Sequence, residues 1–274
     1  MAAYERLRTN LDDGVLTVTI DNPPANVLTG RLFIELGAVC ESAAVDDSVR
    51  VVVFDSADPD FLIAHFDLTL LLRPQADEPA ERRPELTPFD QMCELVRTMP
   101  KPTLVKMSGR CGGGGNEFAS SCDMRFGVRG RTIVNQMEVP LGIIPGGTGT
   151  QRLPRLVGRG RAMEIILGGD DIDAQTLYDW GHLNRLFDTV EEMSTYVDGL
   201  ARRIAGFPPA AVAAAKASVL NAEPAWEEGL REETYLFDQL MRTPEARAAM
   251  ERALELGAQT RDGELRMGDL AGEI

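Results

Sequence analysis

Residues Val15-Leu16-Thr17-Val18-Thr19-Ile20 alternate apolar and hydroxyl side chains. That period of two, carried by β-branched residues, predicts a strand. Asp21-Asn22-Pro23-Pro24-Ala25-Asn26 ends it in a loop, as Pro and Asn clusters do. From Thr29, a residue suited to capping a helix, Leu32, Phe33, Leu36, Val39, Cys40 and Ala43 recur at helical spacing, and the amphipathic helix they predict runs to about residue 45. Val49 to Asp55 is then a continuous apolar run of the kind found in strands buried on both faces. The order strand, helix, strand points to α/β architecture.

Phe61 to Leu68 is a second short apolar piece, interrupted by His65 and Asp67. Leu70 to Glu85, with Pro74, Pro79, Pro84 and many charges, has too little apolar surface to order itself and is expected to be an excursion loop beside the site. Leu86 to Met99 reads as a helix, and Pro102 to Met107 as a buried strand that feeds the glycine-rich stretch Ser108 to Asp123. Met124 to Val128 and Thr132 to Val134 read as two short strands around Arg129-Gly130-Arg131. Asn135 to Gly149 is irregular and carries Glu138, and Thr148 or Thr150 is placed to cap the next helix. From Asp188 onward the pattern is helical, over Val190 to Ala205, Pro208 to Leu220, Trp226 to Met241 and Pro244 to Leu256. The chain thus divides into an α/β core, 1–187, and a helical region, 188–274. Leu230, Phe237, Leu240, Met241 and Met250 give that region more apolar surface than it can hide alone, which predicts packing on another subunit.

Composition narrows the function classes. The 274 residues carry a formal charge of −15, which removes the basic footprint a nucleic-acid surface needs. Arg152, Arg155, Arg159 and Arg161 make the most basic part of the chain and the best local candidate for meeting phosphates, although such a cluster is more often a solvated helix face. The four cysteines make no CxxC pair and read as reduced, buried thiols. His65 and His182 are the only histidines, so a metal site or a Ser/His/Asp triad is poorly supplied. The first residues lack a signal-peptide core, and no apolar run approaches the ~18 residues a membrane span requires. A soluble, cytoplasmic protein without a membrane partner is expected.

The chemistry on offer is two carboxylates beside glycine-rich backbone. Gly112-Gly113-Gly114-Gly115 lies between a strand and a helix start, where unshielded N–H groups at the positive end of a helix dipole can hold a developing anion. A phosphate-binding P-loop would place Lys-Ser or Lys-Thr after the glycines, and Asn116-Glu117 stands there instead. A Rossmann fingerprint is allowed weakly by spacing, with Glu138 twenty-one residues beyond Glu117, but a glutamate inside the turn would repel a pyrophosphate. General acid/base work by Glu117 and Glu138, beside backbone donors that stabilise an enolate, uses all the parts.

Gly109-Arg110-Cys111-Gly112-Gly113-Gly114-Gly115-Asn116-Glu117 through Cys122-Asp123, followed by Gln136-Met137-Glu138-Val139-Pro140-Leu141-Gly142-Ile143-Ile144-Pro145-Gly146-Gly147-Thr148-Gly149-Thr150-Gln151-Arg152-Leu153, resembles the crotonase superfamily, the enoyl-CoA hydratases and isomerases. The likeness reaches forward to Gly158, Ala162-Met163-Glu164, Gly168 and Ala174 and back to Asp21 through Leu28, and so covers nearly the whole chain. It implies a crotonase-like spiral of ββα units with a C-terminal helical trimerisation region, assembled as a homotrimer or a dimer of trimers. It also implies an acyl-CoA substrate and no metal or redox cofactor, coenzyme A being part of the substrate.

By position, the resemblance makes the N–H groups of Phe66 and Gly114 an oxyanion hole. It makes Glu117 the carboxylate that directs water to C3 and Glu138 the one that protonates C2. Ala25, Val27, Ala64, His65, Asp67, Leu68, Cys111, Gly113 and Leu141 would contact substrate. Isomerases of the family can work with the Glu138 position alone, so Glu117 favours a hydratase; double-bond isomerisation, another crotonase reaction, or a non-catalytic acyl-CoA-binding role are the alternatives. The chain departs from the family pattern at His65, where glycine is usual, and at Met137, where proline commonly precedes the second glutamate. Leu254-Glu255-Leu256-Gly257-Ala258-Gln259, towards the chain end, also lacks the Lys/Arg and Phe that many members present near adenine. A left-handed backbone at position 65 would force His65 to displace the loop. A neutral ring, packed or hydrogen-bonded near the site, is the favoured reading of His65 over a catalytic one.

Overall fold

The computed structural model describes residues 4–67, 70, 86–139, 143–222, 252 and 255–256. The chain divides into two compact units, Met1–Arg202 and Arg203–Ile274. In the first, strands β1 (Leu7–Asp12), β2 (Val15–Ile20), β3 (Val51–Ser56), β5 (Thr103–Met107), β7 (Met124–Val128) and β10 (Arg185–Phe187) form a six-stranded sheet in that spatial order. A second sheet takes the strands between, in the order β4 (Phe61–Ile63), β6 (Arg110–Gly112), β8 (Ile133–Asn135) and β9 (Ile172–Asp173). Only β1–β2 and β8–β9 pair antiparallel; every other neighbour is parallel.

Successive strands therefore alternate between the sheets, β3 then β4, β5 then β6, β7 then β8, and helices carry the chain on to the next turn. The described helices are α1 (Gly30–Val45), α2 (Pro88–Thr98), α3 (Gly114–Ser121), α4 (Gly149–Val157), α5 (Arg159–Gly168), α6 (Ala174–Asp179) and α7 (Val190–Ala205), with α8 (Pro209–Leu220) in the second unit. This is the spiral of ββα units. Its core fills from the inner faces, where Val18, Ile20, Leu32, Leu36, Phe54 and Phe118 are all buried. Phe54 and Phe118 meet edge to face with centroids 5.0 Å apart, locking α3 onto β3.

Local chemistry explains the boundaries. Thr29 caps α1 by accepting from Leu32 N, and Thr87 and Asp90 close a reciprocal capping box at the start of α2. β1 and β10, and the short β6 and β9, were not expected from the pattern. Arg110-Cys111-Gly112 has no strand periodicity of its own; its pairing is imposed by β4 on one side and β8 on the other. Segment 71–85 and the expected helices Trp226 to Met241 and Pro244 to Leu256 fall outside the described residues, apart from 252, 255 and 256. Among the described residues no helix is long and apolar enough to cross a membrane.

Candidate active site

The glycine run packs where no side chain fits. A Cβ on Gly115 would lie 2.4 Å from Ile63 O, so α3 can start flush against β4 only with glycine there. Gly113 turns the chain out of β6 with φ +47, and a Cβ at that position would stand 2.9 Å from Glu138 Oε1. The turn thus delivers α3 with its first residues buried and brings the Glu138 carboxylate against its N-terminus.

Glu117 lies in the first turn of α3 and is 4% exposed. Its Oε1 accepts two backbone N–H groups, from Gly147 at 2.9 Å and from Gly149 at 2.8 Å. Burial drives its carboxyl pKa up to about 7, against the pull of those donors; the nearby negative charge of Glu138 adds to the rise. Glu138 is 8% exposed, and burial raises its pKa as well, while the charge of His65 opposes the rise. Two neighbouring buried carboxyls that each resist ionising form a pair suited to holding one proton between them.

Next to the Gly113 turn are two further backbone donors. The α3 N-terminus leaves Gly114 N without an intrahelical acceptor. The loop after β4 lies beside Leu28, with Leu28 N donating to His65 O at 2.8 Å and Asp67 N donating to Leu28 O at 3.2 Å. Those bonds leave the intervening Phe66 N–H facing the other way. A Cβ built on Gly114 would lie 3.6 Å from Phe66 N, and neither N–H meets a protein acceptor among the described residues. Phe66 and Phe89 cover this region with an edge-to-face contact at 5.8 Å.

His65 does not take a left-handed backbone. Among the described residues, positive φ at a non-glycine position occurs at Asp13, Asn26 and Thr148, so position 65 has a backbone open to any residue. The half-buried ring places Nδ1 2.9 Å from Phe66 O; a carbonyl only accepts, so Nδ1 carries a proton. Ala25, Val27, Ala64, His65 and Cys111 line one cavity of about 220 Å³, together with Arg110 and Met137. Asn26, between Ala25 and Val27, donates to Ser56 Oγ, Phe61 O and Leu62 O and accepts from Asn22 N, tying the β2 loop to the cavity wall. Leu68 and Leu141 lie outside the described residues.

Several site residues escaped the sequence reading. Gly147 and Gly149 hold Glu117, and the signal for them was a Gly-Gly-Thr-Gly segment opening a helix. A buried chain of polar side chains also runs to Glu138. His182 Nε2 lies 3.0 Å from Asn116 Oδ1, Asn116 Nδ2 donates to Gln136 Oε1 at 2.8 Å, and Gln136 Nε2 reaches Glu138 Oε2 at 3.3 Å. Of the arginines on α4 and α5, Arg152 is turned inward and pairs with Glu94, while Arg155, Arg159 and Arg161 are exposed. All four cysteines are buried free thiols, and burial lifts those of Cys93 and Cys111 to about 12. Among the described residues, no cluster of three His, Cys, Asp or Glu side chains could bind a metal ion.

Known proteins share this fold and family. The family model described as enoyl-CoA hydratase/isomerase matches residues 10–260. A Bacillus subtilis protein named "Probable enoyl-CoA hydratase" is 29% identical over 246 residues, 89% of this chain and 94% of its own. Among solved structures, a Streptomyces avermitilis protein titled "putative enoyl-CoA hydratase" is 38% identical with a TM-score of 0.72, covering 98% of each chain. The enoyl-CoA hydratase from Bacillus anthracis is 25% identical with a TM-score of 0.82, covering 92% of this chain and 96% of its own. With the spiral fold and a family match over nearly its whole length, the chain belongs to the enoyl-CoA hydratase/isomerase family of the crotonase superfamily.

Proposed function

We propose that this protein is an enoyl-CoA hydratase that adds water syn across the 2,3-double bond of an acyl-CoA thioester. The observation that carries the reading is a pair of buried carboxyls, each with its pKa raised by burial, close to two backbone N–H groups, of Phe66 and Gly114, that meet no acceptor among the described residues. The thioester oxygen sits between Phe66 N and Gly114 N and gains negative charge as water attacks C3. Each donor contributes about 3 kcal/mol at the transition state, in a water-poor site where it needs no reorganisation. The Glu117 carboxylate takes the proton of the attacking water, and the Glu138 carboxyl gives its proton to C2. The pair begins and ends with one proton, passed from Glu117 back to Glu138 before the next turnover. Coenzyme A enters as part of the substrate, and the reaction calls on no metal or redox group.

The cavity bounded by Ala25, Val27, Ala64, His65 and Cys111 supports a place for the pantetheine arm next to the oxyanion donors. The test is loss of ultraviolet absorbance of a short 2-enoyl-CoA on hydration, with Glu117→Gln and Glu138→Gln alongside. Hydration should fall by about 10²- to 10⁴-fold in each, with KM little changed. A wild-type protein that shifts the double bond of a 3-enoyl-CoA but does not hydrate, with that activity surviving Glu117→Gln, would make it an isomerase. Tight binding of acyl-CoA without any turnover would make it a binding protein.

A further inference from the structure

Thr148 has an unusual backbone. Thr29 and Thr87 cap their helices in the ordinary way, with φ −70 and −62 and with their hydroxyls accepting helix N–H groups. Thr148, at the corresponding position of α4, has φ 89 and ψ −8, and its side chain caps nothing. Positive φ is costly for a β-branched residue, and glycine, which stands on both sides of it, would adopt it freely. The conformation serves its neighbours. It turns the N–H groups before and after it, at Gly147 and Gly149, onto one oxygen of Glu117, the concave arrangement by which consecutive backbone amides hold anions.

The displaced hydroxyl has a partner. Arg152 Nε donates to Thr148 Oγ1 at 2.8 Å, and the Nη2 of the same guanidinium donates to Glu94 Oε1. Glu94 on α2 is also held by Arg97 at 2.7 Å, so it is a fixed anchor. The Arg152 side chain is only 11% exposed, which protects these bonds from solvent. We infer that Thr148, Arg152 and Glu94 form a lock that holds the Gly147–Gly149 amides on Glu117, making Thr148 and Arg152 positioning residues for that carboxylate. The inference rests on the hydratase reading for its effect on turnover, but the lock itself acts on Glu117 whether or not substrate is present.

The amides favour ionised Glu117, so loosening them raises its pKa further. Thr148→Val removes the hydroxyl acceptor at nearly constant shape, Thr148→Ser restores it, and Thr148→Gly removes both hydroxyl and strain. In Thr148→Val and Thr148→Gly the acid limb of the kcat profile for hydration should move up by about one unit, about tenfold in kcat on that limb, with KM unchanged. Thr148→Ser should keep the wild-type profile. Thr148→Gly should melt no lower than wild type, which separates loss of positioning from loss of fold. The same shift should appear without substrate in the carbon-13 titration of the Glu117 carboxyl, identified by its absence in Glu117→Gln. An unmoved titration in both Thr148→Gly and Thr148→Val overturns the lock; a wild-type protein without hydration activity overturns the hydratase reading and leaves the titration as the test of the lock.

Discussion

Gly149 N and Glu117 Oε1 stand 2.8 Å apart, joining the first residue of α4 to the first turn of α3. The carboxyl is therefore near two helix N-termini and still has a raised pKa, because burial outweighs both. Across the interval from the ordinary 4.5 to about 7, the folded chain keeps a proton that the unfolded chain has released. Stability then falls as pH rises through that interval.

Glu117→Gln removes the titration while leaving an oxygen to accept both amides. The variant should be more stable than wild type by about 2–3 kcal/mol at pH 8, and the two should converge near pH 4.5. Denaturant midpoints across that range measure it. A constant difference between the two curves would mean that Glu117 is not strained by burial.

Gly113→Ala tests how closely Glu138 is packed. The new Cβ would require φ +47 of an alanine and would stand 2.9 Å from Glu138 Oε1. The expected cost is about 1–2 kcal/mol of stability, with a loss of hydration well beyond what partial unfolding explains. Unchanged kcat in a folded Gly113→Ala protein would show that Glu138 can move aside without penalty.

These contacts mark what the chain made legible. β2 and α1 follow from periods of two and 3.6 that tertiary packing left intact, and β3 from an unbroken apolar run. The turn at Gly112 to Gly115 was legible because glycine-rich backbone between a strand and a helix start has few other uses, while Glu117 and Glu138 were singled out by the longer motifs around them. The nest around Glu117 was not, because Thr148 looked like an ordinary N-cap; its positive φ follows from an acid 31 residues earlier. β6 was invisible for the same reason, since three residues with one Arg, one Cys and one Gly become a strand only between β4 and β8. His182 likewise gave no sign that its partner would be Asn116, 66 residues away.

Asn26 concentrates much of the loop's order in one side chain. It takes φ +50, which asparagine tolerates better than most, and its amide bridges Asn22 N to Ser56, Phe61 and Leu62. Asn26→Ala removes a donor from the Leu62 carbonyl and the acceptor of the Asn22 amide, while Phe61 O keeps its bond from Ser56 Oγ, at a cost of about 2 kcal/mol. Because Ala25 and Val27 line the cavity, KM for a CoA thioester should also rise in protein that remains folded. Urea midpoints and initial rates measure the two effects separately, and an unaffected KM would detach this loop from substrate binding.

His182 supplies the opposite pH dependence. Burial, with the charge of Arg125 behind it, lowers its pKa from 6.5 to about 3, and its Nδ1 has no partner among the described residues. The folded chain keeps the ring neutral; Nε2, the nitrogen beside Asn116 Oδ1, then carries the proton. As pH falls below 6.5 the unfolded chain binds a proton that the folded chain refuses until about 3, so stability is lost on acidification. At pH 5 this amounts to about 2 kcal/mol. His182→Gln, whose amide can still donate to Asn116, should remove that loss. Relative to wild type, the variant should therefore gain about 2 kcal/mol between pH 8 and pH 5, whatever its stability at pH 8. A difference that stays flat across that range would show that His182 takes up its proton in the folded protein, which would require the pocket around Asn116 and Ser120 to admit water.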